Sequence, residues 1–208
     1  WVKVLHCEQN MLIHNPLPTS ATIKAKSKVT GLVDKGADKG ALILTERTLK
    51  DAESGLDLAT LTSTTFARGN GGYDGPSDEA PRPHKVPERE PDFAVDLTTL
   101  DMAALIYRLS GDYNPLHASP SVARAAGFPK PILHGLCSLG VAGHAILKGC
   151  CDYDAKRLKS LQLRFSSPVY PGETMRTEIW RDGANISFKS KIVERDVVVL
   201  DNGHATVE

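Results

Sequence analysis

Several things are scarce in this chain of 208 residues, and each scarcity excludes something. There is no excess of either charge: 25 basic residues face 25 acidic ones. No strong field therefore favours nucleic acid or an anionic membrane, and any contact with ligand phosphates must be local. No apolar run approaches the roughly 18–20 residues of a membrane-spanning helix. Cysteine is limited to Cys7, Cys137, Cys150 and Cys151. None has C-x-x-C spacing or a partnering histidine, so a zinc site is not expected. Cys150 and Cys151 are adjacent and make poor disulfide partners, which points to a reduced, intracellular protein. No secretory leader pattern is present, and the chain begins at Trp1 rather than Met, so more protein is expected upstream.

What is present reads first as strands. Residues 21–33 alternate, with Ile23, Ala25, Ser27 and Val29 set against Lys24, Lys26, Lys28 and Thr30. That is a strand with one wet face. Residues 1–5 and 11–13 form another, Asp34 to Gly40 turn the chain, and 41–49 and 56–67 continue an antiparallel meander. Residues 68–92 carry repeated Gly and Pro among charges and read as an extended linker. Apolar residues at helical spacing (Leu100, Ala103, Ala104, Ile106, Tyr107) predict a helix over 96–110, capped by Thr98 or Thr99. A short helix is expected between Ser119 and Gly127. A longer one is expected from His134-Gly135 to about Lys148. Strands follow at 161–167, 174–180 and 186–193, then 197–200 and 204–207 as a hairpin or one bulged pair.

The order is partly repeated. Pro16-Leu17-Pro18-Thr19, a strand, Asp34-Lys35-Gly36 and two strands are echoed by Pro168-Val169-Tyr170-Pro171, a strand, Arg181-Asp182-Gly183 and more strands. Two copies of one β unit are implied. Only the second has a long helix before its strands, so the first copy's helix is expected upstream of Trp1. The division is an incomplete N-terminal half (1–67), a linker (68–95) and a C-terminal half (96–208).

The chemistry concentrates between Tyr107 and Gly135. Asp112, Asn114 and His117 fall within six residues, between Gly111 and Pro115, on a loop with apolar flanks. Gly111 frees the backbone before the acid, and Pro115 drives Asn114 out of the α region. Polar groups gathered on such a loop mark a binding or catalytic position. Gly135 opens an apolar helix, so its N–H is unpaired and at the positive end of the dipole.

These residues carry a resemblance. Leu109-Ser110-Gly111-Asp112-Tyr113-Asn114-Pro115-Leu116-His117, with Ala126-Gly127-Phe128 and Pro131-Ile132-Leu133-His134-Gly135, resembles the signature of the (R)-specific 2-enoyl-CoA hydratases. This is the hydratase 2, or MaoC-like, family, found within peroxisomal multifunctional enzyme type 2. The resemblance implies an α+β double hot-dog fold, with antiparallel sheets each curled around a central helix. It implies hydration of trans-2-enoyl-CoA to (3R)-3-hydroxyacyl-CoA without a cofactor or metal. Asp112 and His117 would act jointly on a water, Asn114 would orient water or substrate, and the Gly135 amide would stabilise the thioester oxyanion. It further implies acyl-CoA contacts from His6 and Cys7 (in His6-Cys7-Glu8-Gln9, where the family carries Gly at position 7), from Lys35 and from Phe165. A homodimer in the peroxisome, possible membership of a larger multifunctional β-oxidation enzyme, and no nucleic-acid or membrane partner complete the expectation. Two alternatives stay open: a hot-dog acyl-CoA thioesterase and a non-catalytic acyl-CoA-binding module. A serine or cysteine acyl-transfer site is weaker, since the Gly135–Gly140 stretch lacks G-x-S-x-G. His134 is expected to be structural, satisfying loop carbonyls.

Overall fold

The computed structural model describes residues 4–77 and 80–208. The first three residues of the strand expected at 1–5 lie outside that set. Among the described residues, nine strands form one continuous antiparallel sheet: β1 (Val4–Ile13), β2 (Ile23–Asp34), β3 (Ala41–Asp51), β4 (Asp57–Ala67), β5 (Phe93–Thr98), β6 (Leu158–Phe165), β7 (Thr174–Asp182), β8 (Asn185–Ile192) and β9 (Val197–Val207). Their order across the sheet is β2-β3-β4-β1-β6-β9-β8-β7-β5. Up to β7 this order is a mirror. β1 corresponds to β6, β2 to β7, β3 to β8 and β4 to β9, and the two first strands meet at the centre, residues 8–12 pairing with 160–164. The echo read from the sequence is thus repeated in the topology. The two halves share one continuous sheet.

The helices are α1 (Ala103–Tyr107), α2 (Pro120–Ala125) and α3 (Gly135–Cys150). α3 is the only long one among the described residues, and it lies against β5, β6, β7 and β9. Ala142, Ala145 and Ile146 on its inner face pack with Leu161, Leu163, Met175, Ile179, Phe188 and Leu200 into the main core. Small residues let the helix approach the sheet closely; a methyl at Gly143 would come within 3.3 Å of Leu161.

Three expectations need correction. The helix over 96–110 is present only in its second half. Residues 93–98 instead form edge strand β5 on β7, with Phe93, Val95 and Leu97 directed at the core by strand alternation. The Thr98 and Thr99 hydroxyls bond Thr174 Oγ1 and the Glu173 carbonyl, each at 3.0 Å, and cap nothing. Only Ala103–Tyr107 is α-helical, with a 3-10 turn at Arg108–Ser110 after it, and Leu100 and Ile106 are exposed. Ser119 sits at the head of α2, but its hydroxyl meets Ser121 Oγ at 3.0 Å rather than a helix amide. Finally, residues 197–207 are one bulged strand, not a hairpin; Asn202 takes φ 55° where the register with β6 shifts.

The linker is held at both ends. One oxygen of Asp34 accepts the amides of Gly36 and Gly72, and the other accepts that of Tyr73, all at 2.8 Å. These bonds hold its carboxyl below the usual carboxylate range. Further on, His84 Nε2 meets Ser187 Oγ at 2.8 Å and the Arg89 carbonyl accepts from Trp180 Nε1 at 2.7 Å. This strap lies on the face of the sheet opposite α3.

Candidate active site

The site is built from the chain between α1 and α3. A 3-10 turn (Arg108–Ser110) continues α1 and ends at Gly111, whose φ of 111° suits glycine. Asp112 follows. Asn114 then caps a second 3-10 turn (Pro115–His117), its Oδ1 accepting the Leu116 amide at 3.0 Å. Its own amide N–H donates to Asp112 Oδ1 at 3.2 Å. Asn114 is thus partly committed to building the loop, and its side-chain Nδ2 is the end left for other partners.

His117 is 9 % exposed, and its Nδ1 lies 2.8 Å from the Ile132 carbonyl. A carbonyl can only accept, so the proton sits on Nδ1 and Nε2 presents a lone pair. The ring of His134 stacks on it with centroids 3.7 Å apart and planes 27° from parallel. Donor atoms of Asp112, His117 and His134 lie within 4.8 Å of one another. That spacing can hold one water molecule or one cation. The close ring stack sets the two imidazoles side by side rather than converging at tetrahedral angles, which suits a shared water better than a zinc ion.

Gly135 is the first residue of α3, so its amide has no intrahelical acceptor. Phe165 at the end of β6 closes over it. A Cβ on residue 135 would meet the Phe165 ring at 3.3 Å, tighter than most real contacts. On the other side of Phe165 stands His6, ring centroids 4.9 Å apart. His6 reaches this position through a bulge. It pairs with Thr65 and Glu8 with Thr64, leaving Cys7 as the extra residue in β1. Thr65, Ser63 and Leu61 share one face of β4, so their partners His6, Gln9 and Met11 do too, although three positions separate His6 from Gln9. Burial holds His6 below the ordinary histidine pKa, and its Nε2 donates to the Glu8 carbonyl at 3.1 Å.

The expected residues therefore fall into connected groups and one outlier. Asp112 and His117 come together; Gly135, Phe165 and His6 form a contiguous chain of contacts beside them. Cys7 is half-buried at the bulge. Lys35 stands apart, exposed in the turn after β2, three strand spacings or about 14 Å from β1. Sequence reasoning set aside His134 as structural. Its Nε2 does donate to a loop carbonyl, that of Asp112 at 3.2 Å, but the same ring also backs His117. Adjacency to Gly135 was the available signal; nothing in the spacing announced the stack.

Comparison with known proteins bears on the fold and the family. The MaoC like domain family matches residues 83–203, and the MFE-2 hydratase 2 N-terminal domain family matches 1–69. The peroxisomal enoyl-CoA hydratase 2 of Arabidopsis thaliana is 40% identical over 206 residues, covering 95% of this chain and 66% of that protein. The crystal structure of a MaoC-like dehydratase from Phytophthora capsici superposes with a TM-score of 0.93 at 42% identity, covering 100% of this chain and 72% of that one. Full-length peroxisomal multifunctional enzyme type 2 from Drosophila melanogaster gives 0.89 at 40% identity, covering 98% of this chain but 37% of its own length. A double hot-dog sheet, the hydratase signature on its loop and two family matches that together span nearly the whole chain lead to one assignment: the protein belongs to the MaoC-like hydratase 2 family of hydro-lyases.

Proposed function

We propose that this chain catalyses the reversible hydration of trans-2-enoyl-CoA to (3R)-3-hydroxyacyl-CoA, with Asp112 and His117 as its acid–base pair. The observation that carries the proposal is their convergence, a carboxylate oxygen and an imidazole nitrogen within 4.8 Å of each other, close enough for both side chains to grip the same water. As the water oxygen bonds C3, one of its protons passes to this pair. The pair returns a proton to C2 as the double bond is lost, so the two groups end as they began. Between these events negative charge sits on the thioester oxygen. The Gly135 amide at the head of α3 faces that oxygen, and a donor so placed contributes about 3–4 kcal/mol to the transition state. Asn114 steadies the loop through its own cap and offers Nδ2 to water or substrate. No redox or group-transfer step is involved, so the proposal includes no cofactor.

His6, Cys7 and Phe165 would wall the thioester end of the site. Lys35 would meet a CoA phosphate as an exposed point charge, at a distance that suits an extended carrier. The names of the Arabidopsis and Drosophila relatives support a peroxisomal setting, and the latter supports a place within a larger multifunctional enzyme; we assign the reaction to fatty-acid β-oxidation. The edge of β2 is unpaired in the sheet order and supports association with a second copy.

The test is spectrophotometric. Purified protein should deplete the enoyl absorbance of crotonyl-CoA and decenoyl-CoA and yield the (3R)-alcohol. Thiol release without hydration would replace this reading with the thioesterase one. Calorimetric binding with no turnover would leave only an acyl-CoA-binding module.

A further inference from the structure

His134 touches both members of the acid–base pair, yet the mechanism above gives it no task. It is 2 % exposed, packed between the Tyr107 ring at 4.7 Å and the His117 ring at 3.7 Å. Its Nε2 carries the proton, because it donates to the main-chain carbonyl of Asp112. Its Nδ1 is buried and has no hydrogen-bond partner among the described residues. A second proton there would leave an unpaired charge in the interior, so the ring is built to stay neutral. Burial and the neighbouring His117 both hold its pKa below the ordinary value, and Arg108 nearby acts in the same direction.

We propose that His134 is a positioning residue of the hydration reaction, fixing His117 through the ring stack and Asp112 through its main-chain carbonyl. The inference rests on the Asp112–His117 reading. Two contacts hold the His117 ring, the Ile132 carbonyl at Nδ1 and the face of His134, so its Nε2 keeps one direction. Asp112 lies on an exposed loop after Gly111, where its backbone would otherwise be free; the bond from His134 ties it to the head of α3. Neutrality is part of the device, since a second imidazolium against His117 would oppose the proton that His117 must carry during turnover.

The test uses two variants with complementary losses. His134→Phe keeps a flat ring on His117 but cannot donate to Asp112. His134→Gln keeps an N–H donor but loses the ring. Each should lower kcat by roughly 10- to 100-fold, the scale of a small misplacement of catalytic groups, with KM little changed. Added to Asp112→Asn, His134→Phe should cost much less than it does alone, because the group it positions is already disabled. Fully multiplicative losses, or near-parental kcat in both single variants beside a slow Asp112→Asn, would overturn the proposal alone. Asp112→Asn hydrating at the parental rate would overturn the acid–base reading and this proposal with it. If either variant misfolds, nitrogen-15 spectra of the unaltered protein between pH 8 and 5 decide instead. His134 should be Nε2-protonated when neutral and should titrate below the ordinary histidine range, and titration at or above that range would defeat the idea.

Discussion

The two halves of the sheet carry the same strand order yet are loaded very differently. In the C-terminal half, β5 to β9 wrap α3 and enclose Phe188, Ile146, Met175, Ile179 and Ile192, all fully buried. In the N-terminal half, β2 is exposed along most of its length, and the buried apolar residues are few: Val33, Ala41, Leu58, Ala59 and Ala67. Among the described residues a long helix covers only the C-terminal half. A sheet face becomes a core only when something apolar lies on it. One half therefore anchors the fold and carries the loop chemistry, while the other presents a wall with His6 and the Asp34 turn.

The most damaging way to probe that asymmetry is to hollow the loaded half. Phe188→Ala should destabilise the protein by about 3–5 kcal/mol. Val29→Ala, at a site 60 % exposed on β2, should stay within about 0.5 kcal/mol. Urea unfolding of both measures the contrast, and equal losses would erase it. Next come Asp112→Asn and His117→Gln, which should each reduce hydration by roughly two orders of magnitude or more. Asp112 is exposed, so its variant should keep both circular dichroism and Tm, whereas His117 is buried against His134, so its variant should keep the circular dichroism but lose some Tm. A smaller effect is expected at the contact between halves. Gly135→Ala pushes on the Phe165 ring and, through it, on His6, and should slow turnover roughly tenfold while keeping the amide donor. A variant at full speed would show that Phe165 yields freely.

The mildest prediction concerns pH. His6, His84, His134 and His204 are all held below the ordinary histidine pKa, chiefly by burial. The unfolded chain, with histidines near 6.5, binds protons there more readily than the folded one. Stability should therefore fall as pH drops through about 6.5 towards 5. A Tm that holds or rises over that interval would contradict this. Three of the four residues belong to the C-terminal half or to the strap across it, so the loss should be concentrated there.

Much of this was legible in the chain itself. Alternation marked β2, apolar and β-branched runs marked the other strands except β5, and Leu136, Leu139, Ala142 and Ile146 at helical spacing marked α3, although Leu136 proves exposed. The Asp112-to-His117 loop announced itself through Gly111 and Pro115, whose effects appear as φ 111° at Gly111 and ψ 120° at Asn114. What was illegible depended on partners far away in sequence. Residues 93–98 satisfy a strand alternation that the linker before them and the helical spacing after them concealed, and only pairing with β7 reveals it. The bulge at Cys7 exists because β4 sets the register, so alternation along β1 alone would have put His6 on the wrong face. His134 looked like a loop anchor because its stack on His117 closes across sixteen intervening positions.

The seam between β1 and β6 has an implication for ancestry. Its ladder runs antiparallel and centres on the pairing of Asn10 with Gln162, with first strands from mirrored units on either side. Two identical copies of a single unit could meet along the same ladder, each lending its opening strand to the other. Tying such copies into one polypeptide removes the obligation to be alike. One can then specialise in holding the reactive groups, while the other is free to reshape the space in front of them.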